Sequence, residues 1–217
     1  MIDQSTGWPI VSLVQKNLGD PTPDWKLGVT NTFNYKGFSL GVVFDMTKGG
    51  KFFSETVSSL LGRGVTLDTK DREKSRVVDG VYADPNNVYT PFLVGGKPVP
   101  NQTRISTNDL FFSTSSIAAS FAINGVTEFQ IYDGTVYRLR ELTFGYDLPK
   151  HIVNKLKLSA VELGFSGRNL WYLAPNVPKY THYDPETNSV GSGIIQGVEL
   201  SAAPTTRRIG FNINITF

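Results

Sequence analysis

The sequence contains no cysteine, which excludes a disulfide framework and a thiolate metal site. Histidine is almost as scarce. His151 and His182 stand far apart with no clustered carboxylate, so neither a metal centre nor any other cofactor is expected. Charge of one sign is also missing. A net charge of +2 over 217 residues argues against a dedicated nucleic-acid binder. No apolar run approaches the roughly 20 residues of a membrane-spanning helix. Met1-Ile2-Asp3-Gln4 has neither the basic nor the apolar region of a signal peptide. Those two features alone would suggest a soluble cytosolic protein. The pattern of what is present points elsewhere.

Aromatic residues make up 12% of the chain and glycines number 21, a balance that suits strands and turns. The last residues, RRIGFNINITF, alternate without a break. Ile209, Phe211, Ile213, Ile215 and Phe217 share one face, and Arg208, Gly210, Asn212, Asn214 and Thr216 share the other. WKLGVTNTFNY repeats the pattern with Trp25, Leu27, Val29, Phe33 and Tyr35 on one face, Asn31 being the exception. Lys36-Gly37 then signals a tight turn, and FSLGVVFDM returns with Phe38, Leu40, Val42, Phe44 and Met46 together. In VYRLRELTFGYDLP, residues Leu142, Phe144, Tyr146 and Leu148 alternate with Glu141, Thr143, Gly145 and Asp147. KHIVNKLKL predicts one or two helical turns with Ile152, Val153 and Leu156 on one side. AVELGFSGRNLWYL places Val161, Leu163, Phe165 and Trp171 opposite Glu162, Ser166 and Arg168.

Two long irregular stretches, approximately 47–135 and 173–204, separate these strands, whereas the connectors at 36–37 and 149–158 are short. If the chain's last strand descends toward the periplasm, every long stretch falls on the extracellular side and every short turn on the periplasmic side. That one-sidedness is the signature of an outer-membrane barrel. Only a closed barrel satisfies every strand's backbone in hydrocarbon, and its side chains alternate between lipid and a water-filled lumen. The fold class expected is therefore all-β, an antiparallel meander forming part of a large transmembrane barrel. Aromatics near strand ends (Trp25, Tyr35, Phe38, Tyr146, Trp171, Tyr172 and Phe217) fit interfacial girdles. A soluble β-sandwich that binds carbohydrate accounts for the alternation equally well, with its apolar faces buried and extra strands in 47–135. It accounts poorly for the loop lengths. Five strands do not close a barrel, so a fragment is expected.

GDPTPDWKLGVTNTFNYKGFSLGVVFDMTKGG (19–50) closely resembles the segment G-x-P-x-P-x-W-x-x-G-x-x-N-x-F-x-Y-K-x-F-x-L with its following Gly-Gly turn. That segment is characteristic of SusC/RagA-family TonB-dependent outer-membrane transporters of Bacteroidetes. DGTVYRLRELTFGYDLPKHIVNKLKLSAVELGFSGRNLWYL (133–173) resembles the same family's V-R-L-R-x-L-T-L-x-Y-x-L-P and S-G-x-N-L strands. YDPE (183–186) and the final aromatic strand match its ending. The resemblance implies barrels of about 22 strands, with a plug and a TonB-contacting segment. It further implies a SusD-like surface lipoprotein as partner, outer-membrane lipid around the wall, energy from the TonB complex, and import of oligosaccharides or peptides. Residues 1–217 are then expected to be the C-terminal barrel portion, without plug or TonB box, in the outer membrane of a Bacteroidetes-like cell. Phe217 would belong to the signal that barrel-assembly machinery reads, by strand addition; an interfacial anchor is the simpler role. A siderophore- or vitamin-type TonB-dependent receptor is the further alternative.

No constellation supports an enzyme. SGIIQG and GKP lack phosphate-loop spacing, and no nucleophile-elbow motif is present. Pro185 between Asp184 and Glu186 reads as a turn, and calcium there is a weaker idea. Ligand candidates are the loop aromatics Tyr82, Tyr89, Phe92, Tyr180 and Tyr183, set among Asn and Asp, although loop self-packing explains them as well. Candidates for lining the lumen are Arg138, Arg140, Glu141, Glu162 and Arg168, with Arg138–Glu162 and Arg140–Glu162 pairs considered across adjacent strands.

Overall fold

The computed structural model describes residues 1–12, 14–112, 126–186 and 196–217. Its spine is a five-stranded antiparallel sheet among the described residues, in the order β1 (Trp25–Tyr35), β2 (Phe38–Lys48), β11 (Val136–Asp147), β12 (Ala160–Leu173) and β14 (Arg208–Thr216). Every neighbour in that order is also the next long strand in sequence, so the sheet is a meander. Strand lengths of 9 to 14 residues match or exceed the roughly 9–11 of a tilted bilayer crossing.

Register turns the alternation into two chemically distinct faces. Phe33, Leu40, Phe144, Phe165 and Phe211 lie side by side across all five strands. Tyr35, Phe38, Tyr146, Leu163 and Ile213 form the next row, with the Phe38 and Tyr146 rings stacked 4.3 Å apart. On the opposite face, Thr32, Gly41, Thr143, Ser166 and Gly210 form one row, and Asn34, Ser39, Gly145, Gly164 and Asn212 another. The apolar face is open. Phe33, Phe144, Phe165 and Phe211 are all exposed, Phe211 to 67%, and no second sheet covers them among the described residues. That overturns the sandwich expectation, which required those rows to be buried. A contiguous apolar face left open across five strands is a surface that soluble monomers rarely expose.

Both short connectors lie at one end of the sheet. Lys36 and Gly37 adopt left-handed φ values of 46° and 84°, the backbone of a two-residue hairpin loop that follows strand twist. Asp147 N donates to Gly37 O at 2.8 Å, and Ser159 N donates to Thr216 O at 2.8 Å. The turn at 36–37, the connector after β11 and the end of β14 are thus neighbours. That connector holds helix α3 (Lys150–Lys155), but only Val153 is buried; Ile152 and Leu156, expected beside it, are exposed.

At the other end the described parts of the long stretches build a folded unit of their own, not the irregular loops that composition suggests. Its core comprises Ile2, Phe52, Val57, Leu61, Val78, Ile105, Leu110, Phe111, Tyr132, Val177 and Tyr183. Strands β10 (Ile131–Asp133), β3 (Lys51–Ser54) and β13 (Val198–Glu199) form a small mixed sheet within it. Helix α1 (Glu55–Gly62) starts where the Ser54 hydroxyl accepts from Val57 N and Glu55 complements the helix dipole. It turns Val57 and Leu61, four residues apart, into the core. Three two-stranded antiparallel pairs complete the unit: β4 (Ser75–Val77) with β9 (Arg104–Ser106), and the hairpins β5 (Ala83–Asp84) with β6 (Asn87–Pro91) and β7 (Leu93–Val94) with β8 (Lys97–Pro98). Helix α2 (Thr107–Phe112) follows β9 and supplies Leu110 and Phe111 to the core. Ile2, given no role in the sequence reading, bridges Pro9 and Tyr82 and is fully buried.

Candidate functional site at the junction of sheet and loops

The polar face meets the loop unit at a cluster of charges, and a backbone irregularity in β11 makes that cluster. Leu139 pairs with Phe44 and Glu141 with Val43, so Arg140 is an extra residue against β2. In strict alternation Arg138, Arg140, Leu142 and Phe144 would share a face. The bulge breaks the parity. Arg138, opposite Asp45, and Glu141, opposite Arg168, lie on the polar face, while Leu139 and Leu142 both join the apolar one. Arg140 donates from Nε to Asp45, and it also reaches the loop after β12.

That loop supplies the other half. Arg138, 4% exposed, donates to Asp184, and its Nη1 lies 3.0 Å from Glu186 Oε2. Arg140 grips Glu186 with both Nη atoms, at 2.8 and 2.9 Å. Such a fork is the strongest geometry between guanidinium and carboxylate. Asp184 also accepts from Thr205 Oγ1 at 2.8 Å, and Glu186 N donates back to Asp184 at 3.0 Å. Burial pushes the Glu186 carboxyl up. The hydrogen bond from Arg140 and the charges of Arg138, Arg140 and Lys26 outweigh that and hold it below its ordinary value. Three carboxylates (Asp45, Asp184, Glu186) face two guanidinium groups, and Lys26 nearby offsets the remaining charge.

Two further contacts fix the loop unit here. Glu199, 1% exposed, accepts from Ser54 Oγ, from Thr56 N and Oγ1, and from Ala202 N. Burial raises the Glu199 carboxyl, and these donors bring it below its ordinary value. Asp133 is likewise raised by burial but held down to about 2 by Thr135, Asn176 and the Lys51 ammonium.

Between these fastenings lies a cleft of about 500 Å³. Its walls are Pro21 and Pro23, the polar ends of β1 and β2 at Lys26 and Thr47, the turn 49–52, Pro185-Glu186, and 196–199. Gly50 must be glycine. Its φ is +79°, and an added Cβ would sit 2.8 Å from the Pro21 carbonyl oxygen. Gly50→Ala is expected to cost about 2 kcal/mol, read from denaturant unfolding of the full-length protein. A loss below about 0.5 kcal/mol, the range of neutral surface changes, would show that the turn is not constrained.

Arg138, Arg140, Glu141, Glu162 and Arg168 all reach the polar face, but not in the pairs considered. Glu162 lies opposite Asp147, a full strand away from Arg138, and accepts from Asn214 at 3.0 Å. Arg168 pairs with Glu141 at 3.1 Å. Partners lying 46 residues away in the loop, Asp184 and Glu186, take the two arginines instead. Tyr172 faces inward, its hydroxyl donating to His182 O, and does not join an aromatic girdle.

Tyr183 is buried on Phe52, ring centroids 5.7 Å apart, as a core residue. The Tyr82 hydroxyl is held by Thr103 Oγ1 and Gln102 N. Phe92 is half-buried, and Tyr89 and Tyr180 are exposed. Sequence reasoning missed Lys26, Asp45 and Glu199. Asp45 and Lys26 are polar positions in the alternation, but Glu199 carries no sequence signal. Part of SGIIQG lies outside the described residues. Among the described residues no group of three His, Asp or Glu is placed to hold a metal.

No family model matches the chain. It is 27% identical over 208 residues to a protein named TonB-dependent receptor P3 from Formosa agariphila, covering 94% of this chain and 17% of that protein. Two solved structures of the RagAB peptide importer, in open-open and closed-closed states, match 100% of the chain with a TM-score of 0.52 each. The identity is 16% in both, so the likeness is one of fold. The chain spans 21% and 22% of those structures.

Proposed function

We propose that this chain, a stretch of a TonB-dependent receptor of the SusC/RagA type, forms barrel wall and loops of an outer-membrane importer. The imported material is oligopeptide or glycan, and the partner is a SusD-like surface lipoprotein that meets the loop unit. The observation that carries this reading is the bare apolar face across five strands, with the described parts of the long connections folded at one end. Lipid covers the apolar face and water the polar one. The loop end, comprising 47–135 and 173–204, faces outside, and the end with 36–37 and α3 faces the periplasm. Arg140, Glu141, Glu162 and Arg168 line the lumen, while Arg138 lies buried beneath the 184–186 loop. The role involves no catalysis; binding happens in the loops, and TonB supplies the energy.

A strain lacking the gene is expected to lose uptake of an oligopeptide or an oligosaccharide and to regain it on complementation. Cross-linking from the loop unit is expected to capture a surface lipoprotein. Unchanged uptake of both ligand classes would remove the importer reading.

Phe217, 90% exposed at the end of the edge strand β14, is the assembly residue in this account. Deleting it from the full-length protein is expected to lower the amount of heat-modifiable receptor in the outer membrane several-fold. The receptor that does assemble keeps normal denaturant stability. Unchanged assembly would leave Phe217 as an interfacial anchor alone.

A further inference from the structure

The carboxylates lining the cleft beside the charged junction are held by direct hydrogen bonds, whereas the Lys26 ammonium balances the junction only through space. Two carboxylates line it, Glu186 and Glu199. Glu199 is fully occupied by Ser54, Thr56 and Ala202, and Glu186 by Arg138 and Arg140. Of the lining cations, Arg138 is spent on Asp184 and Glu186. Lys51 faces Asp133 at 3.6 Å with its side chain 47% exposed, a loose and solvated contact. Lys26 makes no hydrogen bond or ion pair among the described residues and acts on Glu186 only through space. It stands on the polar side of β1, opposite Thr47.

The lining also says what the cleft does not recognise. Among the described residues Phe52 is the one aromatic ring lining it, and that ring is buried and already packed against Tyr132 and Tyr183. Among the described residues no ring face is offered to a sugar. Proline and glycine backbone makes up much of the rest, leaving recognition to charge.

We propose that this cleft is a subsite for a carboxylate on the imported ligand, held by the Lys26 ammonium with Lys51 beside it. The inference rests on the importer reading above. The same chemistry is presented by an acidic residue of an oligopeptide and by a uronate unit of an oligosaccharide. A cavity of about 500 Å³ holds either.

The test uses purified full-length receptor in detergent, so that binding is read without energy transduction. The probes are two matched pairs: a pentapeptide with a central glutamate and its glutamine twin, and a galacturonate disaccharide and its galactose twin. One acidic probe is expected to bind roughly tenfold more tightly than its neutral twin, as for a hydrogen bond to a charged group. The pair that shows the difference identifies the source of the carboxylate. Lys26→Gln is expected to abolish the preference, Lys26→Arg to keep most of it, and Lys97→Gln, in the β7–β8 hairpin, to leave it intact. Equal binding of both twins by the wild type would overturn the proposal, as would absence of binding by either acidic probe. So would a preference that survives replacement of Lys26 and Lys51 together. Uptake in cells separates the two readings. Import without charge preference removes the subsite alone, and charge-selective binding without import removes the importer alone.

Discussion

Replacing Arg138 with alanine in the full-length receptor is expected to cost about 3–5 kcal/mol and to free the segment after β12 from the wall. Asp184 is 6% exposed, and Arg138 is its cationic partner. Truncating the arginine leaves a buried carboxylate without its counter-charge, held only by the neutral donors Thr205 Oγ1 and Glu186 N, the costly half of any buried ion pair. Asp184→Asn in the same background is expected to recover part of the loss, because it removes the stranded charge. Hydrogen exchange should localise the effect to 174–186, with little change at the 36–37 turn. Arg140→Ala is expected to do less, since its partners Asp45 and Glu186 are more exposed. The junction is also acid-sensitive in a defined direction. The folded-state value of Glu186 is lowered, so its contribution is fully present above the ordinary 4.5. It is lost as pH falls through the lowered value. Raising pH above neutrality is expected to change nothing here. Equal exchange protection in wild type and Arg138→Ala would show that the junction does not fasten the loop.

The second large effect lies on the other face. Phe144→Arg places a charge in the centre of the row Phe33, Leu40, Phe144, Phe165 and Phe211. If lipid covers that row, which lies one row in from the interfacial Tyr35, Phe38 and Tyr146, the substitution costs about 1–2 kcal/mol, between the interfacial and midplane values. Thr32→Lys adds the same charge one residue away from Phe33 but on the polar side, where water receives it. That variant is expected to change stability by less than about 0.5 kcal/mol. Urea unfolding of the full-length receptor in vesicles, followed by tryptophan fluorescence, compares the two. Equal costs would mean that the two faces meet similar surroundings.

The strands were legible because period-2 alternation is strong over 9 to 14 residues, and β1 and β12 run from Trp25 to Tyr35 and from Ala160 to Leu173 as the pattern indicates. Two things defeated the same reasoning. Strands of two to five residues, such as β5, β6 and β13, are too short to show a period, so the loop unit looked irregular. The bulge at Arg140 has no local marker, and without it alternation puts Arg138 on the apolar side. Pairing the arginines with Glu162 assumed that charges on neighbouring strands find each other. The partners came from the loop, at Asp184 and Glu186, because the bulge lies at the sheet end where that loop packs. Tyr183 shows the same limit: a tyrosine among Asp and Asn reads as a ligand platform, yet its ring closes the core on Phe52.

The most direct measurement of the two-faced wall is solvent accessibility along β11 of the full-length receptor in lipid vesicles. Single spin labels at 142, 143, 144, 145 and 146 would be read against oxygen, which partitions into lipid, and against a water-soluble nickel chelate. Labels at 142, 144 and 146 are expected to be accessible to oxygen, and those at 143 and 145 to the chelate, in strict alternation. Protection of 142, 144 and 146 from both reagents would mean that protein, not bilayer, covers the apolar rows, and the barrel-wall account would fail.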